Sequence, residues 1–263
     1  MKNIISKDGT KISYDKSGSG PLVVLVSGAT AFRATEPSMA EAAKQLSENF
    51  TVINYDRRGR GESTDTLPYA VEREIEDIEA LIDANGGTAY LHGISSGAVL
   101  ALRAASKLGD KVTKIAVYEP PFSLEGGERQ VPASYKQELE KALAEGRRGD
   151  AVELFMTTHG GMPAEMVKPM RKEPWWGGLE AIAHTLAYDA AVMGDNLVPV
   201  AMLKGVTIPA LVMGGGASPA WLQDAAKAVA AALPHAEHRT LEDQTHDVDP
   251  DMLADALQSF FSK

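Results

Sequence analysis

A short segment flanked by glycines, residues 93–97, has the composition of a turn that presents a nucleophile. Its sequence is Gly-Ile-Ser-Ser-Gly, with Ser95 at the centre. It lies between a predicted strand at 88–92 and an alanine-rich helix predicted over 96–108. In a tight strand-to-helix turn the central residue is strained, and side chains two residues away on either side would collide. The glycines remove these collisions, so we expect Ser95 to point outward as a nucleophile.

One of the six histidines lies where a general base is expected. His246 follows the last predicted strand, 238–241, and precedes the last predicted helix, 251–261. Loops at the carboxyl ends of parallel strands are where α/β proteins place their ligands. We therefore expect His246 to take the proton of the serine hydroxyl and to return it to the leaving group. Of the other histidines, His92 is expected in the core, next to the nucleophile turn. His159 and His184 belong to the helical segment described below, and His235 and His238 are expected on the surface.

Two backbone N–H groups are candidates for stabilising a negatively charged oxygen. Ser96 begins the helix after the nucleophile, so its N–H lies at the positive end of the helix dipole. A second donor is expected from the loop 27–30, which follows a continuous apolar strand at 22–26. In that loop we favour the N–H of Ala29, with Thr30 as the alternative. These donors would together form an oxyanion hole.

Predicted strands and helices alternate along the chain. Alternating or continuously apolar runs indicate strands at 3–6, 11–14, 22–26, 51–55, 88–92, 114–118, 209–213 and 238–241. Helical periodicity indicates helices at 36–47, 72–84, 96–108 and 251–261. This alternation predicts an α/β protein with a doubly wound, mostly parallel sheet.

Between residues 123 and 205 the strand pattern gives way to a helical one. Helices are predicted at 134–145, 150–157, 165–171 and 179–193. We expect this segment, 123–205, to be an inserted helical cap on a core formed by 1–122 and 206–263. Six of the ten methionines lie in it, which suits an apolar ligand, although packing within the cap explains them equally well. The expected walls of a substrate pocket are Phe122, Met156, Trp175, Trp176 and Tyr188.

The composition narrows the function classes. A net charge of −10 over 263 residues disfavours nucleic acid and anionic membranes as partners. The absence of cysteine excludes disulfides and thiolate metal or redox sites. Charges occupy the N-terminal positions where a signal peptide is apolar, and no apolar run is long enough for a membrane span. We expect a cytoplasmic monomer or homodimer whose partner is a small-molecule substrate.

Three motifs together resemble the α/β-hydrolase superfamily over nearly the whole chain. They are the glycine-containing loop at 27–30, the turn at 55–63 (Tyr-Asp-Arg-Arg-Gly-Arg-Gly-Glu-Ser) and the Ser95 turn followed late in the chain by His246. The resemblance implies Ser–His–acid catalysis on an ester-like or related carbonyl substrate, without a metal or organic cofactor. The helical insertion is similar to the family's cap domain. The resemblance also favours a structural turn at 55–63 over an anion-binding one.

The acid of the triad is where the sequence departs from the family pattern. Family members commonly carry aspartate just before a Ser-Pro pair, but Ala217 occupies that position here. We expect Glu119, which follows the predicted strand at 114–118, to replace it. Some branches of the superfamily, including haloalkane dehalogenases and certain lactone hydrolases, are similar in taking their acid from this strand end. A purely structural role is the alternative for Glu119, and weaker candidates are Asp224, Asp243 and Asp247.

The sequence thus predicts a serine hydrolase, of the esterase type, that acts on an ester, lactone or thioester with an apolar acyl or alcohol part. Ser95 would form an acyl-enzyme, His246 would transfer the proton and Glu119 would orient His246. Two alternatives stay open. The same scaffold can serve C–C hydrolysis, lyase or cyclase chemistry, and Ala217 favours a non-catalytic relative that only binds a ligand.

Overall fold

A computed structural model describes residues 1–127 and 129–263. The described residues form one eight-stranded sheet in the order β1-β2-β4-β3-β5-β6-β7-β8. The first two strands are antiparallel to their neighbours and the remaining pairs are parallel. The mostly parallel, doubly wound sheet predicted from the sequence is therefore confirmed. Its strands are β1 (Lys2–Ile5), β2 (Lys11–Ser17), β3 (Leu22–Val26), β4 (Thr51–Tyr55), β5 (Ala89–Ile94), β6 (Val112–Tyr118), β7 (Ala210–Gly215) and β8 (Ala236–Leu241).

Helices cover both faces of the sheet because its central strands are apolar on both sides. All five residues of β3, for example, are buried. One face packs against α1 (Pro37–Leu46) and α11 (Pro250–Phe261). The other packs against α2 (Val71–Asp83), α3 (Ser96–Leu108) and α10 (Ala220–Ala232). Of these helices only α10 was not predicted. Among the described residues, no helix is both long and apolar enough to cross a membrane.

The described residues between β6 and β7 are mostly helical, and we call residues 123–205 the cap. It contains an apolar cluster of its own, which includes Leu139, Val152 and Trp176. Its helices are α4 (Tyr135–Ala144), α5 (Arg148–Leu154), α6 (Ala164–Met170), α7 (Trp176–Ile182), α8 (Thr185–Met193) and α9 (Val200–Leu203).

Two details of the cap differ from the prediction. The helix predicted over 179–193 is interrupted, because α7 ends at Ile182 and α8 begins at Thr185. At this break the hydroxyl of Thr185 donates to the carbonyl of Ile182 at 2.8 Å. After α5 the chain makes a π-helical turn, Phe155–His159, in which the N–H of Gly160 donates to the carbonyl of Phe155 at 3.0 Å. Such turns redirect side chains and are frequent at functional sites.

The arginine-rich turn after β4 is buried and ion-paired, as a structural role predicts. Arg57 makes two hydrogen bonds to Glu74, at 2.7 and 2.8 Å. Arg58 makes two to Asp77, at 2.7 and 2.8 Å. Paired, doubly hydrogen-bonded charges are the form in which guanidinium groups are tolerated in a protein interior. This turn therefore anchors the loops around it to α2.

Candidate active site

The turn around Ser95 has the strained geometry expected of an outward-facing nucleophile. Ser95 joins the end of β5 to the start of α3 with φ 57° and ψ −129°, a backbone conformation that residues other than glycine rarely adopt. A Cβ atom on Gly93 would collide with the backbone across the turn. One on Gly97 would collide with the carbonyl oxygens of Val26 and Ser27. Only glycine fits at these two positions, and Ser95 is left facing the cavity described below.

His246 and Glu119 are in direct contact. Glu119 Oε2 lies 2.7 Å from His246 Nδ1. Because a carboxylate accepts, Nδ1 carries the proton and Nε2 is left with its lone pair. The other carboxylate oxygen of Glu119 accepts the N–H of Gly215 at 2.8 Å. Glu119 is fully buried, whereas the His246 side chain is 45% exposed, so a fixed acid holds a ring that remains accessible.

A residue that the sequence analysis did not single out also holds the His246 loop. The hydroxyl of Tyr118, the last residue of β6, donates to the carbonyl of Thr245 at 2.5 Å. Burial and the neighbouring charge of Glu119 raise the pKa of Tyr118, so the hydroxyl stays a donor. Consecutive residues at one strand end thus fix both the ring and the backbone of this loop. A buried tyrosine usually needs a hydrogen-bond partner, so a tyrosine at the end of a predicted buried strand could have indicated this contact.

The position usually occupied by the family aspartate lies beside the same loop but supplies no carboxylate. The N–H of Ala217 donates to the carbonyl of Gln244 at 2.9 Å. Of the weaker acid candidates, Asp224 pairs with Lys227 on the exposed side of α10, at 3.2 Å. Asp243 is exposed, and Asp247 borders the cavity. Glu119 is the carboxylate that contacts His246.

Ser95 and His246 border a cavity of about 820 Å³ between the sheet's carboxyl edge and the cap. Its walls are largely apolar, with Met39, Ile94, Phe155, Met193, Trp221 and Leu253 among them. Ser95 Oγ and the imidazole are not hydrogen-bonded within the described part of the chain, and catalytic hydrogen bonds often tighten only when substrate binds. The cavity nevertheless brings the two candidate groups to one space.

The charged groups of the cavity wall are acidic. Glu36, Asp189 and Asp247 border it, and no lysine or arginine does so among the described residues. Ser27 Oγ donates to Glu36 at 2.6 Å, and burial raises the pKa of Glu36. A cavity of this kind offers an anionic substrate no cationic partner.

The five pocket walls expected from the sequence do not border the cavity, and this expectation is corrected. Phe122 belongs to the main core, whereas Met156 and Trp176 belong to the apolar cluster of the cap. Trp175 is 48% exposed. Tyr188 stacks on another tyrosine ring at 3.8 Å. Helical periodicity identified apolar positions in the cap but not which of them face the sheet.

The cap instead contributes residues that the sequence analysis did not name as walls. The π-helical turn places Phe155 and His159 at the cavity, with Tyr135 of α4 nearby. The ring nitrogen Nε2 of His159 contacts Asn196 Oδ1 at 2.9 Å. Burial lowers the pKa of His159, so the ring is neutral at neutral pH. These residues form a partly polar wall on the cap side.

The expected oxyanion donors border the same cavity. Ser96 is the first residue of α3, so its N–H has no partner within the helix. Ala29 and Thr30 lie in the loop after β3. Thr30 has a positive φ of 63°, and its hydroxyl donates to the carbonyl of Ala29 at 2.6 Å. The structure thus brings four of the predicted residues to one cavity, and Glu119 is buried behind His246. The four are Ser95, His246, Ala29 and Ser96.

The sequence of the chain is similar to that of a known protein family and of several characterised or catalogued hydrolases. The profile of the Alpha/beta hydrolase family matches residues 23–256. N-formylmaleamate deformylase of Pseudomonas putida is 31% identical over 161 residues, which are 59% of this chain and 58% of that protein. An uncharacterised hydrolase of Bacillus subtilis, YraK, is 30% identical over 139 residues, 51% of this chain and 50% of that protein. The chain therefore spans only half to three fifths of the length of these curated relatives.

Solved structures extend the comparison to the full chain. An α/β hydrolase from Sphaerobacter thermophilus is 53% identical, with a TM-score of 0.90, and covers 99% of this chain and 100% of its own. The enol-lactonase of Burkholderia xenovorans covers 100% of both chains at 21% identity and a TM-score of 0.73. At that identity the second likeness concerns the fold alone.

Proposed function

The chain belongs to the alpha/beta hydrolase family, and we propose that it is a serine hydrolase with a Ser95–His246–Glu119 triad. The observation that carries this proposal is the 2.7 Å contact between Glu119 and His246 at the edge of the cavity that Ser95 borders. This contact supports a catalytic role over ligand binding alone, because Glu119 supplies the acid that is missing at Ala217.

The proposed reaction proceeds through an acyl-enzyme. Ser95 Oγ attacks the substrate carbonyl while His246 Nε2 takes its proton, and the N–H groups of Ala29 and Ser96 bind the oxyanion. His246 then gives the proton to the leaving group. Water, activated by the same imidazole, releases the acid and regenerates Ser95. Glu119 keeps its charge throughout and stabilises the imidazolium form of His246.

The cavity supports an uncharged and largely apolar substrate. Its walls combine aliphatic and aromatic side chains from the core and the cap, and its volume of about 820 Å³ lies within the range typical of small-molecule sites. Among the described residues no lysine or arginine borders it, so a substrate carboxylate would find no cationic partner. We therefore propose an ester, lactone or thioester with an apolar acyl or alcohol part as the substrate class.

Active-site labelling tests the proposal directly. A fluorophosphonate should form a single covalent adduct, which peptide mass spectrometry should map to Ser95. Ser95→Ala should abolish both the adduct and the hydrolysis of short nitrophenyl esters, while its melting temperature stays close to that of the wild type. Ester hydrolysis that survives in Ser95→Ala, or an adduct on another serine, would contradict the proposed nucleophile.

A further inference from the structure

One carboxylate of the cap reaches both backbone segments that supply the proposed oxyanion donors. Asp189 lies in α8 and is 4% exposed. Its Oδ1 accepts from Ser96 Oγ at 2.8 Å, and its Oδ2 accepts from Arg60 Nη2 at 2.5 Å. We propose that Asp189 is a positioning residue that orients the two N–H groups of the oxyanion hole. The geometry of the hole would then depend on the contact between the cap and the core. This inference rests on the proposed function.

The first connection runs through Arg60 to the loop after β3. Arg60 Nη1 donates to the carbonyl of Gly28 at 2.5 Å and to that of Ala31 at 3.3 Å. The Gly28–Ala29 peptide is trans, so its C=O and N–H point in opposite directions. Because the carbonyl is turned toward Arg60, the N–H of Ala29 is turned away from Arg60. Asp189 fixes Arg60, and Arg60 fixes this peptide plane.

The orientation of this peptide matters because it lies against the nucleophile. A Cβ atom built on Gly28 would be 3.1 Å from Ser95 Cβ and 3.7 Å from Ser95 Oγ. The loop therefore passes beside the oxygen that would attack the substrate carbonyl. A rotation of the peptide plane at this distance would move the Ala29 N–H relative to the oxyanion.

The second connection acts on the first residue of α3. The Ser96 hydroxyl donates to Asp189, which ties this residue to α8 of the cap. The backbone N–H of the same residue is the other proposed oxyanion donor. Since oxyanion donors stabilise the transition state only when they are already oriented, a tether on Ser96 contributes to preorganisation.

The surrounding charges show that Asp189 is ionised and held from several sides. Burial opposes ionisation, but Arg60 and Arg57 hold the pKa of Asp189 below its ordinary value. Arg57 donates to Asp189 Oδ1 at 2.8 Å and also pairs with Glu74. Stability alone does not require such a cluster, because apolar packing often serves a protein interior equally well. The contacts of Asp189 with both donor segments explain the cluster as a device that positions the oxyanion donors.

The main test is Asp189→Asn, which keeps the size of the side chain but removes its charge and one acceptor. Loss of a whole oxyanion donor lowers kcat by 10²- to 10³-fold, so misplaced donors should lower it by about 10- to 100-fold with KM changed little. Affinity for a trifluoromethyl ketone, which forms an oxyanion on Ser95, should fall in parallel with kcat/KM. Affinity for an uncharged alcohol product should stay the same.

Asp77→Asn is the matched control. Asp77 is equally buried and is bound by an arginine of the same turn, Arg58, but its contacts lie away from both donor segments. We expect this variant to lose stability while keeping its kcat and ketone affinity. An equal loss of ketone affinity in Asp77→Asn, or wild-type values in a folded Asp189→Asn, would overturn the inference.

A second variant keeps the inference testable if Asp189→Asn does not fold. Ser96→Ala removes only the hydroxyl tether and keeps the backbone N–H, so ketone affinity should fall by a few fold. Unchanged ketone affinity in a folded Ser96→Ala would overturn the inference in that case. Failure of the proposed function gives a different result, because the wild type itself would then form no adduct on Ser95.

Discussion

At the scale of single residues, the candidate site depends on a carboxylate that comes from β6 instead of β7. Glu119 has a positive φ of 46°, which few residues other than glycine adopt. This conformation directs its side chain so that one oxygen meets the Gly215 N–H and the other meets His246 Nδ1. A strained backbone that is held by two hydrogen bonds is typical of functional positions.

We expect Glu119→Gln to lower kcat by about 10⁴-fold, by analogy with the loss caused by converting a triad acid into its amide. The amide would favour the wrong tautomer of His246 and would not stabilise its imidazolium form. Steady-state hydrolysis of a nitrophenyl ester measures the effect. Asp243→Asn is the control, since Asp243 is an exposed carboxylate of the same loop region and should leave kcat unchanged. Near-normal activity of Glu119→Gln would assign the acid to another residue.

The sequence allowed some of these residues to be predicted and not others. Ser95 and His246 stand in local patterns, a glycine-flanked turn and a loop between the last strand and helix, and Glu119 stands at a strand end. Asp189 also has a recognisable local feature, because it is the only charged residue in the apolar stretch 186–193. Its partner Arg60 lies far away in the sequence, and only the folded chain shows the pair.

At the scale of secondary-structure elements, the turn between β5 and α3 depends on close contact with β3. The helix begins directly at Ser96, and Gly97 in its first turn lies against the backbone that leaves β3. Another helical glycine, Gly177 in α7, faces open space. Alanine substitutions at these two positions therefore distinguish the effect of the close approach to β3 from the effect of glycine on helix stability.

Gly97→Ala should lower the free energy of unfolding by about 3 kcal/mol, because the added methyl group would force two strand-end carbonyls apart. Gly177→Ala should raise it by about 0.5 to 1 kcal/mol, as alanine is the better helix former and has no contact to disturb. Urea unfolding curves measure both changes. Similar effects in the two variants would show that helix propensity, and not the close approach to β3, decides the cost.

The elements of the core were more predictable than those of the cap. All eight strands were predicted, the central parallel ones because buried parallel strands give short, continuously apolar runs, as in β3. The antiparallel β1 and β2 were predicted from alternating patterns. In the cap, the break between α7 and α8 has no glycine or proline to mark it, and it involves a hydrogen bond from Thr185. The direction of Phe155 and His159 results from a π-helical turn that no periodicity indicates. For this reason the prediction of Met156 as a pocket wall was wrong.

At the scale of the whole molecule, the sheet with helices on both faces encloses a titratable ring. His92 lies in β5 and is fully buried, and its Nδ1 donates to the carbonyl of Ala116 at 3.1 Å. Burial lowers the pKa of His92 from 6.5 to about 4. The sequence analysis placed this histidine in the core on the basis of its strand. Its environment links the stability of the whole fold to pH.

The buried His92 makes the fold less stable in acid than at neutral pH. Between about pH 6.5 and pH 4 the unfolded chain binds a proton that folded His92 does not, so this contribution is complete above pH 6.5 and is lost on acidification. A difference of this size corresponds to about 3 kcal/mol. In His92→Asn, urea unfolding at pH 7, 6, 5 and 4 should show a pH dependence flatter by that amount, even though the variant is less stable at pH 7 because of the lost packing. His235→Asn, at an exposed position, should keep the slope of the wild type. An unchanged slope in His92→Asn would mean that other groups cause the loss of stability in acid.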